Sequence, residues 1–337
     1  MADQVTYGGQ AVIEGVMMRG PRYFAVACRK ADGTILLQQE EVPAFFTKYR
    51  WARWPFLRGI FALADSLVLG LKSLMFSANL AMAEEKNRKA PPTSPLTQAL
   101  LGPLLPLLAT GGNPSGGPIA SIAVTGSAVT GMVIGMSLFM LFPSVVAGWT
   151  TPLVGETLWR SLIEGAVRVA LVLGYIALIG RMKEVQRLFQ YHGAEHKAIN
   201  ALETEGVLDV DAALRASRIH PRCGTNFVLT VLLVKALIFT VIPWQNALLP
   251  RLALRLIMLP IVASISYEVI RLAGMHRHNK ALQLLVAPGL ATQYLTTREP
   301  AREMVEVAVA SLEGVMEREG TLVKRMVPQP VAVPSIV

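Results

Sequence analysis

The chain carries a polar stretch that opens with Tyr191-His192-Gly193-Ala194-Glu195-His196-Lys197 and closes with His220-Pro221-Arg222-Cys223-Gly224-Thr225. Long apolar runs lie on both sides of it. Three of the protein's five histidines and one of its two cysteines fall between Tyr191 and Cys223. We call this segment the histidine island. It is the part of the sequence in which residue types that bind metals or move protons are concentrated.

The composition of the chain is that of a membrane protein. Of the 337 residues, 53% are hydrophobic and 16% are charged, and the mean hydropathy is +0.45. Soluble domains have about 25% charged residues. The net charge of +9 would favour nucleic acid in a soluble protein, but here the basic residues flank apolar runs and do not line one face. We therefore predict a lipid bilayer as the environment and no nucleic-acid partner.

Four apolar segments have close to the roughly 20 residues that a helix needs to cross the hydrocarbon core. They are Ile119 to Leu141, Leu162 to Gly180, Asn226 to Val241, and Leu252 to Leu272. Lysine and arginine are concentrated after the second segment, and such loops remain inside the cell. The predicted location is the cytoplasmic membrane, with both termini and the histidine island on the cytoplasmic side.

The sequence predicts a mainly α, multi-pass membrane protein with about four transmembrane helices and a small N-terminal β-rich cytoplasmic module. Two strand-like runs, Tyr23 to Lys30 and Thr34 to Gln38, are joined by a segment with Asp-Gly, a typical hairpin signal. The predicted segments are the β-rich module (1–55), an interfacial helix (56–83), a flexible linker (84–118), a transmembrane hairpin (119–180), the cytoplasmic region with the histidine island (181–225), a second transmembrane hairpin (226–272), C-terminal interfacial and cytoplasmic helices (273–326) and a disordered tail (327–337).

The helix at 56–83 is predicted to lie at the interface because of its charges. Arg58, Asp65 and Lys72 interrupt an otherwise apolar helical pattern. A charged side chain at the bilayer centre is costly unless it is paired. An interfacial position would leave these three groups in contact with water.

The histidine island has the residue types of a metal site. On a helix, His192 and His196 share one face and Glu195 lies beside them. The order His-x-x-Glu-His is that of the inverted zinc peptidases, in which the imidazoles bind the metal and the glutamate acts on water. His220 and Cys223 return to the same side of the membrane, and zinc binds both imidazole and thiolate. We predict a divalent metal, with zinc favoured, at these four ligands and Glu195 as general base.

Other interpretations of these residues are open at this stage. His192 and His196 could belong to a polar interfacial helix and bond only to neighbouring loops. Cys223 precedes a glycine at the start of an apolar segment, where a small thiol is common in packing.

Two carboxylates outside the island are further candidates. Glu14 lies in a glycine-rich segment and could act as ligand or general base, or could bind backbone amides in a turn. Glu268 lies within the fourth apolar segment, where an ionisable group is either functional or paired. Arg271 or an arginine elsewhere in the bundle could be its partner.

Several motifs of the chain are similar to those of one known family. They are Gly8-Gly9-Gln10-Ala11-Val12-Ile13-Glu14-Gly15-Val16-Met17, Phe189-Gln190-Tyr191-His192-Gly193-Ala194-Glu195-His196-Lys197, His220-x-Arg222-Cys223-Gly224, Pro288-Gly289-Leu290, and Leu295-Thr296-Thr297-x-Glu299-Pro300. In this order they resemble the YqhQ-like family of bacterial membrane proteins, a domain of unknown function. The resemblance covers most of the chain. It implies a metal-dependent membrane enzyme.

The sequence therefore favours a metal-dependent hydrolase at the cytoplasmic face of the membrane. Peptide or lipid-linked substrates suit that depth. The alternative is a non-enzymatic scaffold or assembly partner, in protein insertion or in an oligomeric complex, with the histidine island as its interaction surface. Membrane-protein partners or self-association fit either hypothesis.

Overall fold

The computed structural model describes residues 7–42, 54–87, 130–131, 133–135, 137–154, 158–242, 248–276, 279–321 and 331–332. The chain forms two compact units. One contains residues 1–84, 175–234 and 252–337, and the other contains residues 85–174 and 235–251. The predicted linker at 84–118, beyond residue 87, lies outside the described residues, as does the predicted tail at 327–337 apart from residues 331 and 332.

A small sheet forms the N-terminal part of the first unit. Its antiparallel strands follow chain order: β1 (Gly8–Val12), β2 (Gly15–Arg19), β3 (Tyr23–Arg29) and β4 (Ile35–Glu41). A two-residue strand, β5 (Val331–Ala332), pairs in parallel with β4. The predicted β-rich module is confirmed, and its hairpin is β3–β4. The glycine-rich segment before it forms a second hairpin, β1–β2, which the sequence pattern did not reveal.

The two hairpins turn by different means. In the β3–β4 turn, Gly33 has a φ of +88°, which glycine adopts without steric cost. Asp32 accepts hydrogen bonds from the backbone N–H and the hydroxyl of Thr34, at 2.9 and 2.6 Å. In the β1–β2 turn, Glu14 itself has a φ of +52°, an uncommon value for a residue with a side chain. The contacts of that side chain hold the turn, as described below.

Helices make up most of the remaining described chain. They are α1 (Leu57–Asn87), α2 (Phe142–Val154, preceded by a π-helical turn at Ser137–Leu141), α3 (Leu158–Ile179), α4 (Lys183–Glu205), α5 (Val210–Arg215), α6 (Gly224–Val241), α7 (Leu248–Met275), α8 (Lys280–Thr296) and α9 (Arg302–Glu319).

Both faces of the sheet are covered. On one face, Met18 of β2 and Ala25 of β3 belong to an apolar core shared with α4, α5 and α9. On the other face, Met17 and Val26 pack with Leu69 of α1. Burial on both faces explains why β2 and β3 are continuous apolar runs without a polar alternation. The sheet is thus a platform that fixes α4, the helix of the histidine island.

Four helical segments are long and apolar enough to cross a membrane. They are Leu57–Glu84, Val133–Thr150, Trp159–Ile179 and Ala253–Ala273. The mainly α, multi-pass membrane architecture is therefore confirmed, although the segments differ from the predicted set. The helix at Gly224–Thr240, which covers most of the predicted third span, is apolar but shorter. Helix α1, predicted to be interfacial, is instead long and apolar enough to cross a membrane.

The charges of α1 have partners, which the sequence could not show. Arg58 makes a bidentate ion pair with Glu268 of α7, at 2.7 and 2.5 Å. Asp65 lies 3.7 Å from Arg19, and Lys72 contacts Glu40. Pairing lowers the cost of placing such groups in an apolar environment. The interfacial position of this helix remains a prediction, but the charges that motivated it do not require it.

Glu268 has a clear structural role. Besides Arg58, it lies 4.0 Å from Arg271 on its own helix, and the backbone N–H of Phe56 donates to it at 3.3 Å. Of the two interpretations of this carboxylate, the contacts favour the arginine partner.

The second unit contains its own buried ion pair. Arg168 and Glu164 lie one turn apart on α3, 2.6 Å from each other. Arg168 also donates to the carbonyl of Phe139 at 3.0 Å, and Ser144 donates to Glu164 at 3.2 Å. These bonds satisfy two ionic groups within an apolar helix.

Candidate metal centre

Helix α4 presents the histidine island on a buried surface. It ends at Gly206, which adopts a φ of +66° and donates its N–H to the carbonyl of Leu202. From Tyr191 to Ala201 every residue is buried except His192, which is half-buried. The polar side chains of this segment must therefore find partners within the protein.

Three potential metal ligands meet next to this helix. One ligand atom from each of His192, His196 and Cys223 lies within 4.8 Å of the other two. The Nε2 atom of His192 is 3.1 Å from Sγ of Cys223. The two imidazole rings are 4.5 Å apart and meet edge to face. Cys223 immediately precedes α6, so the site joins α4 to the residue before α6.

Backbone carbonyls determine the tautomers of both histidines. Nδ1 of His192 lies 2.8 Å from the carbonyl oxygen of Thr296, and Nδ1 of His196 lies 2.7 Å from that of Arg218. A carbonyl oxygen can only accept, so both Nδ1 atoms carry the proton. In the neutral ring Nε2 is then the atom with a lone pair, and Nε2 of His192 is the atom that faces Cys223. Metal-binding histidines are typically oriented in this way.

The segment at 214–219 is tied to α4 by two polar side chains. Lys197 and Asn200 each donate to two of its carbonyl oxygens: Leu214 and Ala216 at 3.0 Å from Nζ, and Ser217 and Ile219 at 2.7 and 3.0 Å from Nδ2. Lys197 also contacts Glu299 at 2.9 Å. These bonds hold the carbonyl of Arg218 in position for His196.

Gly193 allows the end of α8 and the residues after it, which include the carbonyl of Thr296, to approach α4. A Cβ atom at this position would lie 2.1 Å from the carbonyl oxygen of Arg298, so no larger residue fits without movement. The N–H of Arg298 donates to the carbonyl of Phe189 at 2.9 Å. The segment after α8 therefore runs directly along α4, which brings Thr296 to His192.

His220 is near the three ligands but has different partners. Its ring centroid is 5.7 Å from that of His196, and its Nε2 is 3.5 Å from Glu203. Its backbone is held by the buried Gln293, which accepts from the N–H and donates to the carbonyl, both at 2.8 Å. His220 is not part of the group whose ligand atoms converge. Its role as a fourth ligand remains a prediction.

Glu195 is buried on α4, directly before His196 in the chain. Burial raises the pKa of Glu195 above its ordinary value, while His192 and His220 act in the opposite direction, and the N–H of Gly9 donates to the carboxylate. Its Oε2 has no hydrogen-bond partner among the described residues. A buried oxygen without a partner is uncommon in folded proteins.

Glu14 has other partners. Its carboxylate makes a bidentate ion pair with Arg187 of α4 and lies 3.3 Å from the hydroxyl of Tyr191. A Cβ on Gly9 of the same hairpin would lie 2.9 Å from the Glu195 side chain. The hairpin therefore packs on the histidine island. These contacts favour a positioning role for Glu14 over the predicted role as ligand or base.

The ligand set matches what zinc binds. Zinc holds nitrogen at about 2.0 Å and thiolate sulfur at about 2.3 Å, and catalytic sites have three protein ligands and one open position. Small movements of the three side chains would bring them to these distances. Nε2 of His196 has no hydrogen-bond partner among the described residues, and burial lowers the pKa of His196. A neutral imidazole with an unused lone pair is the form that a metal requires.

Sequence reasoning missed the residues that support the ligands. Lys197, Asn200 and Gln293 are buried polar side chains; the first two are three positions apart on α4 and adjoin the ligands. That spacing was a usable signal. The carbonyls of Thr296 and Arg218 could not be found in this way, because every residue has a backbone carbonyl.

A family model described as "Protein of unknown function (DUF1385)" matches residues 54–318, which is well over half of the chain. The chain belongs to the DUF1385 family. It is also similar to the uncharacterized protein YqhQ of Bacillus subtilis (strain 168), with 33% identity over 322 residues that cover 93% of each protein. No solved structure matches the chain.

The DUF1385 match confirms the family resemblance that the sequence motifs indicated. It includes the three converging ligands and Glu195, whereas Glu14 lies before its first residue. Neither the family description nor the name of the relative states a reaction. The function must therefore be argued from the site.

Proposed function

We propose that this DUF1385 protein is a metal-dependent hydrolase at the cytoplasmic face of the cytoplasmic membrane. His192, His196 and Cys223 would hold a divalent metal, most suitably zinc. One observation carries the proposal: ligand atoms of His192, His196 and Cys223 lie within 4.8 Å of one another, while Nδ1 of each histidine is bonded to a backbone carbonyl, at 2.8 and 2.7 Å. Histidines that served only to bond loops would not need to converge on a cysteine.

The proposed metal would supply Lewis acidity, which polarises a scissile carbonyl or phosphoryl group and makes a water molecule more acidic. The side chains of this protein would do the rest. The carbonyls of Thr296 and Arg218 hold the two imidazoles in the tautomer that can bind. Lys197 and Asn200 hold the segment that carries Arg218.

Glu195 is the proposed general base. A catalytic base is most effective when its pKa is above that of an ordinary carboxylate and closer to the pH at which it works, and burial raises the pKa of Glu195 above its ordinary value. Its Oε2, which lacks a partner among the described residues, would accept the proton of the attacking water. The same oxygen would then return a proton to the leaving group.

The cytoplasmic side is proposed from the distribution of basic residues. Arginine and lysine are abundant between α3 and α6, for example Arg181, Lys183 and Arg187, and such loops remain inside. A site beside apolar helices suits substrates at the membrane surface, and peptides or lipid-linked molecules are the candidates.

Elemental analysis of protein purified without chelators tests the proposal. Wild type should contain close to one zinc, iron or manganese per chain. His196→Ala should lose most of it, because a three-ligand site rarely survives the loss of one imidazole. Glu195→Gln should retain the metal and lose hydrolysis of labelled peptide and phospholipid substrates. His276→Ala is the matched control, since the exposed side chain of His276 contacts the carbonyl of Leu272, one turn earlier in the chain.

The proposal requires that His196→Ala and Glu195→Gln differ in metal content. Metal-free wild type would overturn it. Equal metal content in wild type and His196→Ala would assign the histidine island to protein contacts, as in the scaffold hypothesis.

A further inference from the structure

An open cavity of about 810 Å³ lies beside the candidate metal centre. Its lining includes three apolar residues, Ile176, Ala177 and Leu295, and three arginines, Arg181, Arg218 and Arg298. Only one carboxylate, Glu299, is among the residues that line it. Among the described lining residues, three guanidinium groups thus face one negative charge.

Two of these arginines are held in place by backbone carbonyls. Arg298 donates through Nη2 to the carbonyl of Gly180 at 3.0 Å, and Arg218 donates through Nη1 to that of Thr297 at 2.6 Å. A guanidinium has five N–H donors, so most of them are left for other acceptors. The Glu299 carboxylate is 3.9 Å from Nε of Arg218 and is shared with Lys197. The cavity therefore has N–H donors for an oxyanion, and the carboxylate of Glu299 balances only part of the positive charge of its arginines.

The position of the cavity relates it to the bilayer. The candidate membrane span Trp159–Ile179 ends one residue before Gly180, so Ile176 and Ala177 belong to its last turn and Arg181 lies just beyond it. Tyr294, also part of the lining, is 64% exposed. Tyrosine and arginine at the end of an apolar helix are typical of the headgroup level of a membrane.

We propose that this cavity binds the phosphate headgroup of an anionic membrane lipid. The guanidinium groups of Arg181, Arg218 and Arg298 bind the phosphate oxygens, since charge-assisted bonds from planar arginine forks suit phosphate geometry. The acyl chains lie along Ile176 and Leu295. The binding itself requires no metal.

The cavity also adjoins the metal ligands through shared residues. The side chain of Arg218 lines it while the carbonyl of Arg218 accepts from His196. Thr297, which accepts from Arg218, follows the residue that orients His192. If the proposed function holds, a lipid headgroup in this cavity lies next to the hydrolytic site.

Native mass spectrometry of the detergent-solubilised protein tests the proposal. Wild type should bind phosphatidic acid or phosphatidylglycerol more tightly than phosphatidylcholine. The double variant Arg181→Gln/Arg298→Gln should bind the anionic lipids at least about tenfold more weakly, because two charge-assisted contacts are removed. The control Arg215→Gln/Arg302→Gln removes the same charge from arginines outside the cavity, paired with Glu205 and Asp211, and should bind as wild type does.

Three results would overturn the proposal. They are equal binding of anionic lipid and phosphatidylcholine by wild type, equal weakening in the cavity and control variants, and displacement of the lipid by millimolar inorganic phosphate alone, which would assign the cavity to soluble phosphate. Metal content measured on the same samples distinguishes the lipid-binding proposal from the hydrolase proposal. Lipid binding by metal-free wild type would overturn the hydrolase and leave the lipid site intact.

Discussion

The Nδ1 atom of His196 lies 2.7 Å from the carbonyl oxygen of Arg218. This bond joins α4 to the connecting segment that leads, five residues later, to Cys223. It therefore fixes the tautomer of one candidate ligand and also helps to place another. A site of this kind depends on backbone geometry as much as on its ligands.

Asn200→Ala should weaken metal binding without removing a ligand. The substitution removes the two hydrogen bonds that Asn200 donates to the carbonyls of Ser217 and Ile219, and loss of such supporting bonds typically lowers metal affinity about 10- to 100-fold. Competition with a chromophoric zinc chelator measures the affinity. Thr204→Ala, an exposed change on the same helix, is the control. Unchanged affinity in Asn200→Ala would show that the segment does not need this support.

Gly193→Ala should destabilise the protein and disturb the site. The added Cβ would lie 2.1 Å from the carbonyl oxygen of Arg298, so the segment that brings Thr296 to His192 must move. Overpacking of this kind costs about 1–3 kcal/mol in the free energy of unfolding. The melting temperature in detergent and the zinc content should both decrease. Gly174→Ala, where a Cβ meets no atom within 4 Å, should be tolerated.

Glu319 should make the free energy of unfolding depend on pH in the acid range. Although burial opposes it, hydrogen bonds from the N–H groups of Arg22 and Tyr23 and from the Arg22 guanidinium lower the pKa of Glu319. These bonds are 2.6 to 3.0 Å long. Because the folded-state pKa is below the unfolded value of about 4.3, the stabilisation is present above that pH and is lost as the pH falls through the folded-state value.

Glu319→Gln should therefore lower the melting temperature at pH 6 to 7, and the difference from wild type should shrink below about pH 4. Bonds to a charged group typically contribute about 1.5–3 kcal/mol. Glu317→Gln, exposed on the same helix, should have little effect. A difference between wild type and Glu319→Gln that is constant from pH 3 to 7 would contradict the argument.

Glu268→Ala should destabilise the pairing of α1 with α7. It leaves Arg58 without its bidentate partner, and breaking a buried ion pair on one side costs about 3 kcal/mol. The double variant Arg58→Met/Glu268→Leu should recover most of the loss. Thermal unfolding of Arg58→Met, Glu268→Leu and the double variant gives the coupling. If the double variant is as unstable as the sum of the single variants, Glu268 has a role besides this pair.

Cysteine labelling should place the histidine island inside the cell. An impermeant maleimide applied to intact cells should label Gly155→Cys and should not label Glu205→Cys until the membrane is opened. The distribution of arginine and lysine predicts this orientation. Wild type gives the background, since both native cysteines are buried and burial raises the pKa of Cys28 to about 12. Labelling of Glu205→Cys in intact cells would invert the topology.

Sequence reasoning was strongest where the side-chain type is itself the signal. Histidine and cysteine are scarce in this chain, and His192 and His196 are four residues apart, so a helix places them on one face whatever surrounds it. Membrane class follows from composition, and the β3–β4 hairpin follows from Asp-Gly between strand-like runs. These features are local, and local physics determines them.

Only the tertiary structure decided which residues meet. Cys223 joins the two histidines because Lys197 and Asn200 bind carbonyls of the segment before it, and a carbonyl has no residue-specific signature. Arg58 and Glu268 are 210 positions apart in sequence, so no periodicity could connect them. Contacts of this kind depend on how α4, the sheet and the segment after α8 pack together, and packing is a property of the whole fold.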